Sequence, residues 1–287
     1  MISALSLLAA ASGPTVHIAP LGLFHIGGYT ITNSILYGWI GALVICTLLI
    51  GVARRVTVKP KGGLVQFIEV GVDFITNLVE GAFDDKKIGR KYVPFFVTLF
   101  FFILFNNWLG LLPIVGEGIK WGGNPLFRPF TADLDGTLAM AAITMLLVYG
   151  ASIRESGGLR RYLRHFFVGS PANPLYLVIG LLEMFTDLTR VLSLSLRLFL
   201  NITIGEIVIG VFAYLGHVVA PLTALPFTLI ELFICALQAY IFTILSTMYL
   251  AIAVNHAGEH AGDVDLTEDD VPETMRVTTQ KTARGRA

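Results

Sequence analysis

Ser193-Leu194-Ser195-Leu196-Arg197-Leu198-Phe199-Leu200-Asn201, followed by Gly205-Glu206, sets one arginine in a stretch that is otherwise apolar around it. A helix of this composition lies at membrane depth. An arginine there costs about 2.5–3.5 kcal/mol on insertion scales, so the charge marks function by default. The guanidinium cannot lose its proton to escape that cost. It needs an anion or water.

Helical geometry shows on which side the partner must lie. At about 100° per residue, Glu183, Arg190, Ser193 and Asn201 project within about 40° of Arg197. Asp187 lies at the edge of that stripe, about 15 Å away along the axis, and Glu206 points to the opposite side. Arg197 therefore has no local anion. Two readings stay open on geometry: a salt bridge to another helix of this chain, with Glu231 as the obvious partner, or an anion from elsewhere.

The composition agrees with a membrane setting. The chain has 287 residues, 55% hydrophobic and 14% charged, with a mean hydropathy of +0.74. That describes a polytopic membrane protein, not a soluble domain. Twenty basic and 20 acidic residues cancel, so nothing suggests nucleic acid. Cys46 and Cys235 lie in separate apolar stretches and read as core thiols. Met1 to Ala11 is apolar but lacks the basic start of a signal peptide, and a cleaved leader stays open.

Uncharged runs long enough to span the bilayer cover Ser34–Ala53, Val93–Leu112 and Gly136–Ile153. Leu64 to Phe83 differs: Gln66, Glu69, Asp73, Asn77 and Glu80 form one narrow polar stripe, which predicts an interfacial helix with a solvated face. Asn106 and Asn107 are expected to bond a neighbouring helix. Two over-long helices, Leu175–Tyr214 and Pro226–Val254, follow, joined by a tight turn marked by Pro221 and Pro226. They predict a steeply tilted hairpin, because about 60 Å and 44 Å of helix exceed the hydrocarbon thickness. The fold class is thus all-α: five crossings and one interfacial helix. Residues 1–33 read as an extracytoplasmic segment, 34–256 as the membrane domain and 257–287 as a polar, disordered cytoplasmic tail.

Lysine and arginine set the orientation. Arg54, Arg55, Lys59 and Lys61 follow the first run; Lys86, Lys87, Arg90 and Lys91 close the amphipathic segment; Arg154, Arg160, Arg161 and Arg164 follow the third run. The opposite loops carry only Lys120 and Arg128. The positive-inside rule puts the N-terminus outside and the three basic loops in the cytoplasm. There is no Gly-rich phosphate loop, nucleophile elbow or metal-ligand cluster, so no catalytic or cofactor site is expected. The histidines read as surface residues, with only a weak metal signal at His256 and His260.

The stretch Ser193 to Asn201, then Gly205-Glu206, then Leu237-Gln238-Ala239-Tyr240-Ile241-Phe242, resembles subunit a of the F-type ATP synthase from about residue 34 to 256. Asn107-Trp108-Leu109-Gly110-Leu111-Leu112-Pro113 is also similar to that family. The resemblance implies a non-catalytic, ion-translocating stator subunit in a bacterial plasma membrane. It would sit beside a ring of c subunits, with b subunits of the peripheral stalk as further partners. Each c subunit would bring one carboxylate to Arg197. Protons, or Na+ in the version the sequence leaves open, would enter by one half-channel and leave by a second, offset one. Asn201 and Gln238 match polar positions near the arginine. Glu206 and Glu231 match the outer path, and Glu183 with Ser193 the cytoplasmic path. Glu206 and Glu231 are expected to share one wet cavity. The chain departs from the family pattern where many members have a histidine in one of the two outer positions, at Gly110 where some carry Asp, and at Val191 where Pro is common. A secondary transporter binding an anion at Arg197, or a structural scaffold, is the alternative class; no second copy of the Arg197 stretch supports the former.

Overall fold

The computed structural model describes residues 22–26, 29–55, 62–112, 115, 120–121, 124–125, 127–155, 174–216 and 219–262. The chain opens with a short antiparallel hairpin, β1 (Gly22–Ile26) and β2 (Tyr29–Thr32), which the hydrophobic pattern did not announce. Thr32 caps the first helix, α1 (Asn33–Ala53), its hydroxyl accepting from the Ile35 amide. The amphipathic helix α2 spans Gly63–Ala82. The third, α3, spans Lys86–Gly110. A two-residue ladder, β3 (Lys120–Trp121) with β4 (Asn124–Pro125), and a 3-10 turn at Phe130–Ala132 lead into α4 (Leu134–Glu155). Two helices of 43 residues close the described chain, α5 (Pro174–Gly216) and α6 (Ala220–Gly262).

Five of these helices are long and apolar enough to cross a membrane: α1, α3, α4, Phe185–Gly216 of α5 and Ala220–Asn255 of α6. With α2 they give the expected all-α polytopic membrane protein. Two boundaries differ from expectation. Lys86, Lys87, Arg90 and Lys91 belong to the first two turns of α3 rather than to a loop, because Asp85 caps the helix there, accepting from the Lys87 amide at 2.8 Å. Pro94 sits inside that helix. Pro226 does not begin α6 but lies in its second turn, while the helix starts at Ala220. At the seventh helical position Pro226 lacks the N–H that would donate to the Leu222 carbonyl, so α6 runs through it at the loss of one internal backbone bond. The expected tail falls almost wholly outside the described residues, as do residues 1–21.

Two compact units divide the chain: residues 1–145 with 184–247, and 146–183 with 248–287. In the second, the Ser152 hydroxyl on α4 donates to the Ala253 carbonyl on α6 at 3.4 Å. In the first, Val65, Ile68, Ile75 and Val79 form the buried stripe of α2. Gly71 admits the Phe101 ring so closely that a Cβ there would sit 2.7 Å from it. The polar stripe of α2 is exposed at Gln66, Glu69, Asp73 and Asn77, and Glu80 pairs with Arg90 at 3.7 Å.

The hairpin of α5 and α6 is tied near its turn. Phe212 and Phe227 stack at 3.7 Å, and the Thr223 hydroxyl donates to the Phe212 carbonyl at 2.9 Å. Further along, Ala132, Ile202 and Cys235 form a buried cluster against which Trp108 and Leu111 pack. The Trp108 indole donates to the Leu232 carbonyl at 3.1 Å, fixing the end of α3 to α6. The Ser195 hydroxyl meets Thr137 at 3.1 Å, fixing α4 to α5.

Candidate functional site

Arg197 projects from the exposed side of α5, with Ser193 one turn before it also exposed. Leu192, Leu200 and Ile204 on the same helix are exposed as well. Leu194, Ser195 and Leu198 point inward instead. Among the described residues Arg197 makes no hydrogen bond and no ion pair. This decides between the two readings left open by helical geometry. Glu231 accepts from the Cys235 thiol, with Sγ 3.9 Å from Oε1, and not from Arg197. Arg190, the other cation on that face, is held by Asp187 at 2.9 Å one turn away. So Arg197 presents a bare cation on an apolar outer surface.

One turn beyond Arg197, Asn201 enters a cleft of about 230 Å³ between α5 and α6, lined also by Ile204, Gly205, Val208, Phe227, Ile230 and Glu231. Its polar lining is Asn201, the Gly205 backbone and Glu231. Glu231 is buried, and its carboxylate lies where a side chain at 205 would be. A space of this size holds several waters, and a buried carboxylate is the group that would keep them there. The Asn201 Nδ2 and Gln238 Nε2 atoms are buried without a partner among the described residues. Each such group inside hydrocarbon costs free energy unless water or a ligand meets it.

Glu206 is not in the cleft lining. One residue beyond Gly205, it is turned about 100° away from the cleft. Glu183 lies on α5 but in the other unit, and its side chain is outside the described residues. The structure therefore brings Asn201 and Glu231 into one cleft, sets Ser193 and Arg197 on one outer face, buries Gln238, and leaves Glu206 out of the cleft lining.

Sequence reasoning missed several polar residues here. Arg128 is only 6% exposed, and its guanidinium donates to the Ala132 carbonyl at 2.9 Å. A lone arginine in a Gly/Pro-rich loop gives no sign that it is buried. Asn106 and Asn107 do not bond a neighbouring helix as expected. Asn106 Nδ2 donates to Phe102 of its own helix at 3.0 Å, while its Oδ1 and both polar atoms of Asn107 lack partners among the described residues. Thr131 and Thr203 hydroxyls are likewise unmet. Cys46 is exposed rather than a core thiol.

Comparison with known proteins now names the lineage. Residues 35–251 match the profile of the family described as ATP synthase A chain. The chain belongs to the ATP synthase A chain family. It is 33% identical over 248 residues to ATP synthase subunit a of Anaeromyxobacter dehalogenans strain 2CP-C, covering 82% of this chain and 61% of that relative. It is 32% identical to ATP synthase subunit a of Gloeobacter violaceus, covering 84% and 89%, and 32% identical to that of Moorella thermoacetica, covering 82% and 96%. The chain thus spans about three fifths of the first relative and nearly all of the last. The family match contains Arg128, Arg197, Asn201, Glu206, Glu231 and Gln238, so all the geometry above lies within it.

Proposed function

We propose that this chain is the ion-channel stator subunit of a rotary F-type ATP synthase, non-catalytic on its own. It lies in a bacterial plasma membrane, beside a ring of c subunits and the b subunits of a peripheral stalk. One observation carries the reading: Arg197 is a bare, permanent cation on an exposed apolar face of a membrane-spanning helix. An anion must come to it from outside the described residues, and a carboxylate on a neighbouring subunit fits the planar fork of a guanidinium bidentately.

In this reading Arg197 draws each passing ring carboxylate into its ionised form and bars ions from crossing directly between two half-channels. Asn201 and Gln238 supply polar groups near it. Glu231 and Glu206 serve the outer path, Glu231 in the cleft and Glu206 beside it. Glu183 and Ser193 serve the cytoplasmic path. The transported ion is a small monovalent cation, H+ or Na+, no resident cofactor takes part, and the membrane potential supplies about 2.3 kcal/mol per charge per 100 mV.

The test is purification of the tagged chain from its own membranes in mild detergent. A small membrane subunit carrying a mid-membrane carboxylate, present as a ring, should come with it. Recovery of the chain without such a ring would overturn the proposal.

A further inference from the structure

Glu231 is buried at the wall of the cleft, and it is the one charged side chain among the described residues that line it. It forms no ion pair among the described residues. Its hydrogen-bond partner among them is the Cys235 thiol one turn along α6, with Sγ 3.9 Å from Oε1. On the α5 side the carboxyl group lies over Gly205, where no side chain intervenes. The glycine gives clearance, and the thiol gives a directed contact.

Cys235 is fully buried, packed with Ala132 and Ile202 under Trp108 and Leu111. Packing alone would be served by any small apolar residue, since a buried free cysteine behaves as a small hydrophobe. Two facts point past packing. The first is the contact with Glu231. The second is the place of the thiol on the helix. Glu231, Cys235 and Gln238 fall at i, i+4 and i+7 and so share one face of α6. All three are buried, and the Gln238 Nε2 has no partner among the described residues. Asn201, which lines the cleft from α5, has a buried Nδ2 in the same condition. Unmet amide donors in apolar surroundings call for water. The thiol is thus the middle member of a buried polar stripe that runs from the cleft acid to Gln238.

An acid that passes protons alternates between two forms. The carboxylate only accepts hydrogen bonds, whereas the neutral carboxyl group also donates one. A fixed cation beside it would favour the ionised form and oppose the exchange. A thiol can donate to the first form and accept from the second, and it carries no charge of its own.

We propose that Cys235 is a positioning residue of the outer access path: its thiol holds the Glu231 carboxyl group at the cleft wall against Gly205, in the ionised and the neutral form alike. This rests on the assignment of Glu231 to the outer path. Cys235 takes no proton itself; it acts through Glu231.

Serine and alanine separate this role from packing. Cys235→Ser keeps an uncharged group that donates and accepts. Cys235→Ala keeps the small apolar bulk and loses the hydrogen bond. A packing role favours alanine, because serine buries a hydroxyl; a positioning role favours serine. Both variants are made in the complete ATP synthase, and ATP-driven proton pumping is read in inverted vesicles at equal content of the complex. The expected result is that Cys235→Ser keeps most of the wild-type rate while Cys235→Ala pumps several-fold slower. Pumping by Cys235→Ala equal to or faster than that of Cys235→Ser would overturn the inference. Failure of either variant to assemble would also overturn it, since that marks a packing role. Glu231→Gln is the control on the underlying assignment: undiminished pumping in that variant removes Glu231 from the path, whatever Cys235 does.

Discussion

Gly205 is the seat of the Glu231 carboxylate: a Cβ added at 205 would overlap it, so the glycine is what lets the acid lie flat against α5. The two helices meet here over a hydrogen atom. Glu231 is thereby held at the cleft wall, where it meets the same space as Asn201.

Gly205→Ala should therefore act on function and not on folding. Alanine improves helix propensity by about 1 kcal/mol, which favours α5. The added methyl must, however, drive the carboxylate from its seat. We expect an assembled complex whose ATP-driven proton pumping is several-fold slower, measured by dye quenching in inverted vesicles. Normal pumping by an assembled Gly205→Ala enzyme would show that the position of the acid does not matter.

Arg197 gives a sharper test, because its two substitutions fail differently. Lysine keeps the charge but is a compact, strongly hydrated point on a flexible stem, without the planar fork. Arg197→Lys should abolish coupled ATP synthesis in an assembled complex. Arg197→Ala removes the positive barrier as well, so its membranes should take up protons passively when the catalytic head is stripped away. ATP synthesis near the wild-type rate in either variant would refute the role given to Arg197.

Orientation is open to direct labelling. Five crossings place the two termini on opposite sides, and the basic loops put the N-terminus outside. Single cysteines introduced at Leu21 and Thr282, in a chain with Cys46 and Cys235 replaced, should react with a membrane-impermeant maleimide from opposite faces. Labelling of both from one side would contradict the topology.

The spans were legible because hydrocarbon imposes a length: an uncharged run of about 20 residues has one common use. Arg197 was legible for the complementary reason, since a charge inside such a run stands out. Its partner was not, because a helical wheel shows direction but not which neighbour fills it. Glu231 drops out because Arg197 makes no ion pair among the described residues. The start of α3 was misread because lysines look like loop, although a helix end holds them comfortably once Asp85 caps it. Arg128 was invisible for a deeper reason. It is bonded to Ala132, which clusters with Ile202 of α5 and Cys235 of α6 far along the sequence, and no local pattern encodes that.

The ties between helices also have a mechanical meaning. Trp108 bolts α3 to α6, Ser195 bolts α4 to α5, and Ser34 with Asp133 bolts the head of α1 to the head of α4. Each bolt joins elements distant in sequence and sits within the compact unit that carries Arg197. A sideways drag on the outer face of α5 is thereby shared among four other helices. In the proposed role, loosening one of these bolts would let the arginine give way under load, so the work of a passing rotor would be lost as bending before it became torque.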